Sequence, residues 1–310
     1  MSTILIPGWM HEHARDVLSR RFKLIEIDQA DAVPALAEDQ RRAILGIACR
    51  AGISAETMQA LPNLQIIASF GVGYDTIDIA GARARGVVVT NTPDVLNEEV
   101  ADTSVGLLLN VVRDLSRAEA YVRAGQWEHA DYPLSRLTLR ERVVGIYGMG
   151  RIGQCIARRL EAFGVGICYH NRQEAPDLPY RYFASLMEMA AHVDTLISIV
   201  PGTPSTALTI NGAVLAALGP DGVFINMGRG SVVDEAALLA ALRSGTIAAA
   251  GLDVFANEPH IDKELLALPN LTVLPHIGSA SQHTRRAMGD LVARNLITWF
   301  ETGRALTPVY

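Results

Sequence analysis

Three side chains with catalytic potential stand in the order Arg229, Glu258, His276, each beyond the end of a short apolar run. Asn226-Met227-Gly228-Arg229-Gly230 sets an arginine in a glycine-flanked turn, where its planar fork can hold a carboxylate through two parallel hydrogen bonds. Gly251-Leu252-Asp253-Val254-Phe255 ends a second run and leads to Glu258-Pro259, and Leu274-Pro275-His276-Ile277-Gly278 follows a third. Reducing the carbonyl of a keto acid requires such a set. A cation holds the carboxylate, an acid protonates the developing alkoxide, and a neighbour keeps that acid charged. Histidine titrates near neutral pH, and an adjacent carboxylate favours its protonated form. Taken singly, each residue also has an ordinary explanation: His276 as a satisfied core histidine, Arg229 as the partner of Asp234 or Asp253. Their order matters more, because ligands of open α/β sheets bind beyond the carboxyl ends of successive strands.

A reduction also needs a hydride source, and Val143-Val144-Gly145-Ile146-Tyr147-Gly148-Met149-Gly150-Arg151-Ile152-Gly153 supplies a place for one. An apolar strand runs into G-x-G-x-x-G, and Gln154 to Phe163 reads as a helix. Gly148 lets the chain turn off the strand, Gly150 lets backbone approach a pyrophosphate, and Gly153 lets helix and strand pack closely. The phosphates belong on the helix N-terminus, among its unpaired N–H groups. About twenty residues on, a carboxylate would hold the ribose 2′-hydroxyl of NAD. The strand Gly166-Ile167-Cys168-Tyr169 instead runs into His170-Asn171-Arg172-Gln173, and Glu174 comes only after the arginine. Asn171 and Arg172 offer donors suited to a 2′-phosphate, so the expected cofactor is NADP(H), with NAD(H) possible if Arg172 is only a solvated loop residue.

The remaining elements must position these groups. A chain of 310 residues with 49% hydrophobic content is long enough for two cores. A formal charge of -6 argues against nucleic acid or an anionic membrane surface as partner. No apolar run reaches membrane-spanning length, and Met1 to Met10 lacks the features of a signal peptide. The three cysteines, Cys49, Cys155 and Cys168, form no C-x-x-C pair, and the expectation is a cytoplasmic protein that uses them in packing. Thr3–Ile6, Lys23–Ile27, Ala43–Ala48, Leu64–Ser69 and Val87–Thr90 read as buried strands separated by helices such as Glu12–Arg21 and Ile79–Arg85. Asn97–Ala124 reads as one long helix stopped by Gly125. Thr195–Val200, Val223–Asn226, Ala249–Asp253 and Leu271–Leu274 read as further parallel strands, and Glu235–Ser244 as a helix closed by Gly245. A last helix, Ser281–Thr302, begins beside a Ser279-x-x-Gln282 capping pattern and ends at Gly303. The fold class is α/β with parallel sheets.

Together with Gly71-Val72-Gly73-Tyr74-Asp75, these motifs give the chain a resemblance, over essentially its whole length, to the D-isomer specific 2-hydroxyacid dehydrogenases. Through His170-Asn171-Arg172 it most resembles the NADPH-dependent glyoxylate/hydroxypyruvate reductase branch. The resemblance implies two Rossmann-like domains. A flavodoxin-like substrate-binding domain would comprise residues 1–96 and 279–310, with an inserted NAD(P)-binding domain at 97–278. It implies that Arg229 binds the substrate carboxylate and that His276 is the acid in reduction and the base in oxidation, oriented by Glu258. The N–H groups of Val72 and Gly73 would cradle the carboxylate as an anion nest, although a plain turn also explains the glycines there. Cofactor contacts are implied for Thr103, Gly148, Gly150, Arg151, Ile152, Gly153, Asn171, Arg172, Val200, Pro201, Thr206, Met227, Asp253, His276 and Gly278. Asp253 would meet the nicotinamide carboxamide. Cys49 to Gly52 and Phe70 are the expected wall against the side chain of the keto acid. A homodimer joined partly through Arg123 to Leu137, with Trp127, Tyr132 and Pro133 as anchors, is also implied.

Other readings share the motifs. Phosphoglycerate dehydrogenases often carry an added regulatory domain, and formate dehydrogenases have Gln in place of Pro275. A nucleotide-sensing corepressor on the same fold can keep all the catalytic residues. A dehydrogenase for a bulkier or phosphorylated 2-hydroxy acid is the remaining alternative. Turnover of NADPH with a small 2-keto acid separates enzyme from sensor.

Overall fold

In a computed structural model that describes residues 1–310, the early apolar runs become β1 (Thr3–Pro7), β2 (Lys23–Ile27), β3 (Ile44–Cys49), β4 (Ile66–Ser69) and β5 (Val88–Thr90). They pair in the order β2-β1-β3-β4-β5, every pair parallel, which is the flavodoxin-like arrangement. Strands β1 and β4 are buried at every position, so their sequences read as continuous apolar runs rather than alternating ones. The terminal helix Gln282–Thr302 packs on this sheet although it comes last in sequence. A Cβ on Gly46 of β3 would come within 3.2 Å of the Leu296 side chain. Thr307 beyond that helix donates to the Asn91 carbonyl at 2.6 Å, and Val309 N–H pairs with Val89 at 3.0 Å. Met1–Leu96 and Ala280–Tyr310 accordingly form one compact unit, and Asn97–Ser279 forms the other.

The second unit is built on β6 (Val143–Tyr147), β7 (Gly166–His170), β8 (Arg181–Phe183), β9 (Thr195–Ser198), β10 (Val223–Asn226), β11 (Ala249–Leu252) and β12 (Leu271–Val273). Their order is β12-β11-β10-β9-β6-β7-β8, again all parallel. Neighbours β6 and β9 are far apart in sequence, so the crossover direction reverses there. That reversal opens a crevice at the carboxyl ends, where dinucleotides bind such sheets. Strand β8 was not evident in the sequence: it is short, begins with Arg181 and lies at the sheet edge, where hydrophobic patterning is weak.

Arg142, 7% exposed, ties down the amino ends. Its guanidinium donates to the Thr138, Asp194 and Asp221 carbonyls and to the Asp194 and Thr195 side chains, at 2.7 to 3.1 Å. A buried guanidinium tolerates this position only because so many acceptors surround it.

Several helix boundaries differ from the sequence reading, two of them for identifiable reasons. The expected helix Asn97–Ala124 is broken into Asn97–Arg113 and Leu115–Arg123 by Asp114, whose φ of 55° lies in the left-handed region. Aspartate tolerates that conformation better than most residues, and the Tyr132 hydroxyl donates to its carboxylate. The last helix is capped by Ser281, not Ser279: the Ser281 hydroxyl accepts from Thr284 N–H at 3.1 Å. With Gln282 as first helical residue, only position 281 has the reach of a cap. The cysteines are packing residues. Burial pushes the Cys49 thiol up to about 12 and the Cys168 thiol up to about 11, and also raises that of Cys155. No helix is long and apolar enough to cross a membrane.

Candidate active site

Most candidate groups of the second unit lie past the carboxyl end of a strand of one parallel sheet, whereas Thr103 stands on the helix Asn97–Arg113. Gly148 follows β6, Asn171 follows β7, Val200 and Pro201 follow β9, Arg229 follows β10, Asp253 follows β11, and His276 follows β12. The elements therefore gather on one edge the residues that the sequence scatters over more than a hundred positions.

The glycine turn has the features that a pyrophosphate needs. Gly148 takes φ +108° with Val200 and Ile199 backbone atoms close by, which leaves no comfortable alternative residue. A Cβ on Gly150 would meet open space, so the outer face of the turn is accessible. The helix begins directly at Arg151, earlier than the expected Gln154, and no side chain caps it. Arg151, Ile152 and Gly153 thus form a first turn whose N–H groups lie at a bare helix N-terminus, a setting that favours phosphate oxygens. A Cβ on Gly153 would fall 2.3 Å from the Gly148 carbonyl oxygen. Gly153→Ala should therefore push the helix off the turn, costing ~1–3 kcal/mol of stability and weakening NADPH binding. Thermal unfolding together with a fluorescence titration checks this.

The side of the site next to β7 is locked to the same turn. Gly148 N–H donates to the His170 carbonyl at 3.0 Å, and Met149 N–H donates to Asn171 Oδ1 at 2.7 Å. Because that oxygen is taken, the Asn171 amide nitrogen remains as the outward donor. Arg172 beside it is exposed and makes no ion pair within the protein. Two donors and no carboxylate therefore stand at this strand end, which fits a 2′-phosphate better than a bare ribose. These residues, with the glycine turn, fit NADP.

Around β9 the structure gives the predicted residues local duties. Thr206 donates to the Pro201 carbonyl at 2.6 Å and accepts from Thr203 N–H at 2.9 Å, bracing the turn after Val200. Gly202 lies against the Arg229 side chain, where a Cβ would come within 3.2 Å of Arg229 Cγ. Thr103 is bonded inside the unit, to the Glu99 and Gly278 carbonyls at 3.0 and 3.3 Å. Met227 Cε lies 3.3 Å from where a Gly278 Cβ would stand, so these two predicted cofactor residues are neighbours.

Arg229 is half-buried, and its turn is shaped by a residue that the sequence reading did not single out. Asn226, fully buried at the end of β10, donates to the Arg229 carbonyl at 2.9 Å and accepts from Gly228 N–H at 3.1 Å. The available signal was a polar residue closing an apolar run, since buried amides need partners. The same turn touches the segment leading to Glu258: a Cβ on Gly230 would lie 1.8 Å from the Phe255 carbonyl carbon. The acids suggested as ion-pair partners for Arg229 have other work. Asp234 caps the helix Glu235–Ser244 through Ala237 N–H.

Asp253, 1% exposed, organises the histidine loop. Its two oxygens accept from Ile277 and Gly278 N–H at 2.8 Å each, and its carbonyl accepts from His276 N–H at 2.9 Å. Burial pushes its pKa up from the ordinary carboxylate value, and the two backbone donors pull it partly back. The loop places His276 at φ 53°, an uncommon conformation for a non-glycine residue. His276 Nδ1 lies 2.7 Å from Glu258 Oε2, while Glu258 Oε1 accepts from Phe255 N–H at 3.0 Å. A carboxylate offers only acceptors, so Nδ1 carries the proton and Nε2 is the working nitrogen. The His276 side chain is 41% exposed, enough for Nε2 to meet a substrate or exchange its proton with solvent.

Val72 and Gly73 belong to the other unit, in the loop after β4. The Gly71 carbonyl accepts from Thr92 N–H at 2.9 Å and the Val72 carbonyl from the Asn91 side chain at 2.8 Å. The carbonyls are anchored from behind, and the Val72 and Gly73 N–H groups have no acceptor within the protein.

Comparison with known proteins agrees with this geometry. Residues 105–278 match the family model for the NAD-binding domain of D-isomer specific 2-hydroxyacid dehydrogenases. A hydroxyphenylpyruvate reductase of Plectranthus scutellarioides is 43% identical over 310 residues, spanning 99% of this chain and 98% of that protein. The glyoxylate/hydroxypyruvate reductase A HPR2 of Arabidopsis thaliana is 42% identical over 309 residues, spanning 99% and 98%. Among solved structures, an NADPH-dependent glyoxylate/hydroxypyruvate reductase of Sinorhizobium meliloti, in complex with NADP and malonate, superposes with a TM-score of 0.97. It is 54% identical, over 99% of this chain and 96% of that one. The chain belongs to the D-isomer specific 2-hydroxyacid dehydrogenases, NAD(P)-dependent oxidoreductases.

Proposed function

We propose that this protein reduces small 2-keto acids, glyoxylate and hydroxypyruvate among them, to D-2-hydroxy acids with NADPH. The observation that carries the reading is the hydrogen-bonded His276–Glu258 pair next to the strand end that bears Arg229. The relatives named glyoxylate/hydroxypyruvate reductase support the choice of substrate. The nicotinamide cofactor, when bound, supplies a hydride to the keto carbon. Arg229 holds the substrate carboxylate through its guanidinium and, being cationic, favours negative charge on the keto oxygen. His276 donates the Nε2 proton to that oxygen. Glu258 fixes the ring through Nδ1, and in the reverse direction Nε2 takes the proton back. In the substrate-binding unit the Val72 and Gly73 amides are donors suited to a carboxylate. Residues 1–96 and 279–310 serve as the substrate-binding domain and residues 97–278 as the dinucleotide-binding domain.

NADPH is preferred because Arg172 and the Asn171 amide nitrogen present donors where the 2′-phosphate lies. Arg172→Ala should weaken NADPH binding about ten- to a hundredfold, the scale of hydrogen bonds to a charged group, and change NADH binding little. Paired titrations with both cofactors check it, and equal weakening of the two overturns the assignment. The protein works in the cytoplasm as a homodimer joined partly through Arg123 to Leu137, with Trp127, 64% exposed, Tyr132 and Pro133 as anchors of the subunit interface. The test of the whole reading is NADPH consumption with glyoxylate and hydroxypyruvate. Tight NADPH binding without turnover of any small 2-keto acid would make the protein a nucleotide sensor instead.

A further inference from the structure

Two successive peptide units of the loop after β4 are held by the segment that follows β5. The Gly71 carbonyl accepts from Thr92 N–H at 2.9 Å, and the Val72 carbonyl accepts from the Asn91 amide nitrogen at 2.8 Å. Both peptide bonds are trans, since the one cis bond of the chain is Glu258-Pro259. In a trans peptide the N–H points opposite to the carbonyl. The Val72 N–H shares its plane with the Gly71 carbonyl, and the Gly73 N–H shares its plane with the Val72 carbonyl. The two bonds therefore turn both N–H groups away from Asn91 and Thr92, to where no acceptor of the protein meets them. The flanking glycines give this backbone little stiffness of its own, so its aim depends on the clamp.

Asn91 is in turn held by residues 216 positions further along the chain. Thr307 Oγ1 donates to the Asn91 carbonyl at 2.6 Å, and Asn91 N–H donates to the Thr307 carbonyl at 3.3 Å. Thr90 of the edge strand β5 bridges to Pro308 in antiparallel fashion, and Val309 N–H donates to the Val89 carbonyl at 3.0 Å. The register of this added segment is set by Asn295, fully buried on the helix Gln282–Thr302. Asn295 Oδ1 accepts from Leu306 and Thr307 N–H at 3.0 and 3.1 Å, and its nitrogen donates to the Leu291 carbonyl and to Thr307 Oγ1 at 2.9 Å each. Every donor and acceptor of that amide is used. Covering a sheet edge needs backbone pairing alone; a buried amide committed to one register keeps Thr307 opposite Asn91.

We propose that Asn91 is a positioning residue for the substrate carboxylate, and that Thr307, locked by Asn295, is the strut that keeps Asn91 in place. This rests on the reductase reading above and on the Val72 and Gly73 amides as carboxylate donors, and it names the residues that aim them. Without the Asn91 donor the peptide unit between Val72 and Gly73 is free to rotate, and the Gly73 N–H must be ordered anew each time an anion binds. Donors that are already oriented escape that entropy loss. Neither Asn91 nor Thr307 touches the reacting atoms.

The probe is oxamate, a carboxylate with an amide in place of the reducible carbonyl, titrated into the NADPH-loaded protein. Wild type is compared with Asn91→Ala, Thr307→Val, Thr307→Ser and Tyr310→Phe, alongside glyoxylate kinetics, NADPH titration and thermal unfolding. The Tyr310 hydroxyl donates to the Val87 carbonyl, so Tyr310→Phe loosens the same segment at the end away from Asn91. We expect Asn91→Ala to raise the oxamate Kd and the glyoxylate KM about three- to tenfold, the scale of one neutral hydrogen bond. Its kcat should stay within about twofold, as for lost uniform binding. Thr307→Val should raise both constants about threefold or more, and Thr307→Ser, which keeps the hydroxyl, should restore them. Tyr310→Phe should lower the melting temperature and leave the oxamate Kd within about twofold, and NADPH affinity should hold within about twofold throughout. An oxamate Kd within about twofold of wild type in Asn91→Ala or in Thr307→Val, in an enzyme that still turns over glyoxylate, overturns the strut and leaves the reductase reading standing. Equal weakening by Tyr310→Phe and Thr307→Val also overturns it, because the segment then acts through stability alone. A wild type that binds NADPH but reduces no small 2-keto acid overturns the reductase reading and the strut with it.

Discussion

Replacing His276 with alanine is expected to lower kcat for glyoxylate reduction about 10²- to 10⁴-fold, the usual contribution of a positioned general acid. NADPH affinity should stay within about twofold, because the glycine turn, Asn171 and Arg172 that hold the cofactor are untouched. The companion variant Glu258→Gln separates orientation from proton transfer. Glu258 Oε1 already accepts from Phe255 N–H, so a glutamine carbonyl would take that place and turn its NH₂ toward His276 Nδ1. A donor facing Nδ1 forces the neutral ring to carry its proton on Nε2 and removes the negative charge that favours imidazolium. Glu258→Gln should therefore damage 2-hydroxy acid oxidation most, since Nε2 can no longer accept a proton. Single-turnover kinetics in both directions measure this. Unchanged kcat in His276→Ala would remove the histidine from the mechanism.

Arg229→Ala is expected to reduce kcat/KM about 10²- to 10³-fold, with a raised KM as the main component, because truncating one member of a charge-assisted pair leaves a carboxylate poorly matched. Arg229→Lys should recover only part of the loss, since an ammonium keeps the charge but not the planar fork. The backbone around the site should largely persist in both variants, because Asn226 holds the turn through the Arg229 carbonyl and Gly228 N–H even when the guanidinium's own 2.8 Å bond to the Gly228 carbonyl is lost. Measured KM for the keto acid and Kd for NADPH distinguish the outcomes. A KM equal to wild type would show that the carboxylate is bound elsewhere.

Much of this was legible from residues 1–310 because parallel strands buried on both faces read as unbroken apolar runs, and each ends on a residue of marked chemistry. The strand Val223–Asn226 and the helix Glu235–Ser244 have the bounds that the apolar pattern indicates, whereas Lys23–Ile27, expected as a buried strand, has the expected bounds but lies at the sheet edge with no buried residue. Three kinds of feature stayed hidden. The break at Asp114 depends on one residue entering the left-handed region, which no periodicity reports. The edge strand Arg181–Phe183 takes its identity from pairing with β7 rather than from its composition. The supports of the site depend on tertiary contact: Asn171 holding Met149, Asp253 holding the His276 loop, and Asn91 holding the Val72 carbonyl. Spacing along the chain identifies the residues that do chemistry more readily than those that aim them.

The buried Arg142 clamp holds the opposite edge of the second sheet from the one that meets ligands. Rigidity is thus concentrated at one rim of the scaffold and reactivity at the other. Natural variation at the strand tips can retune which acids are accepted without loosening the frame.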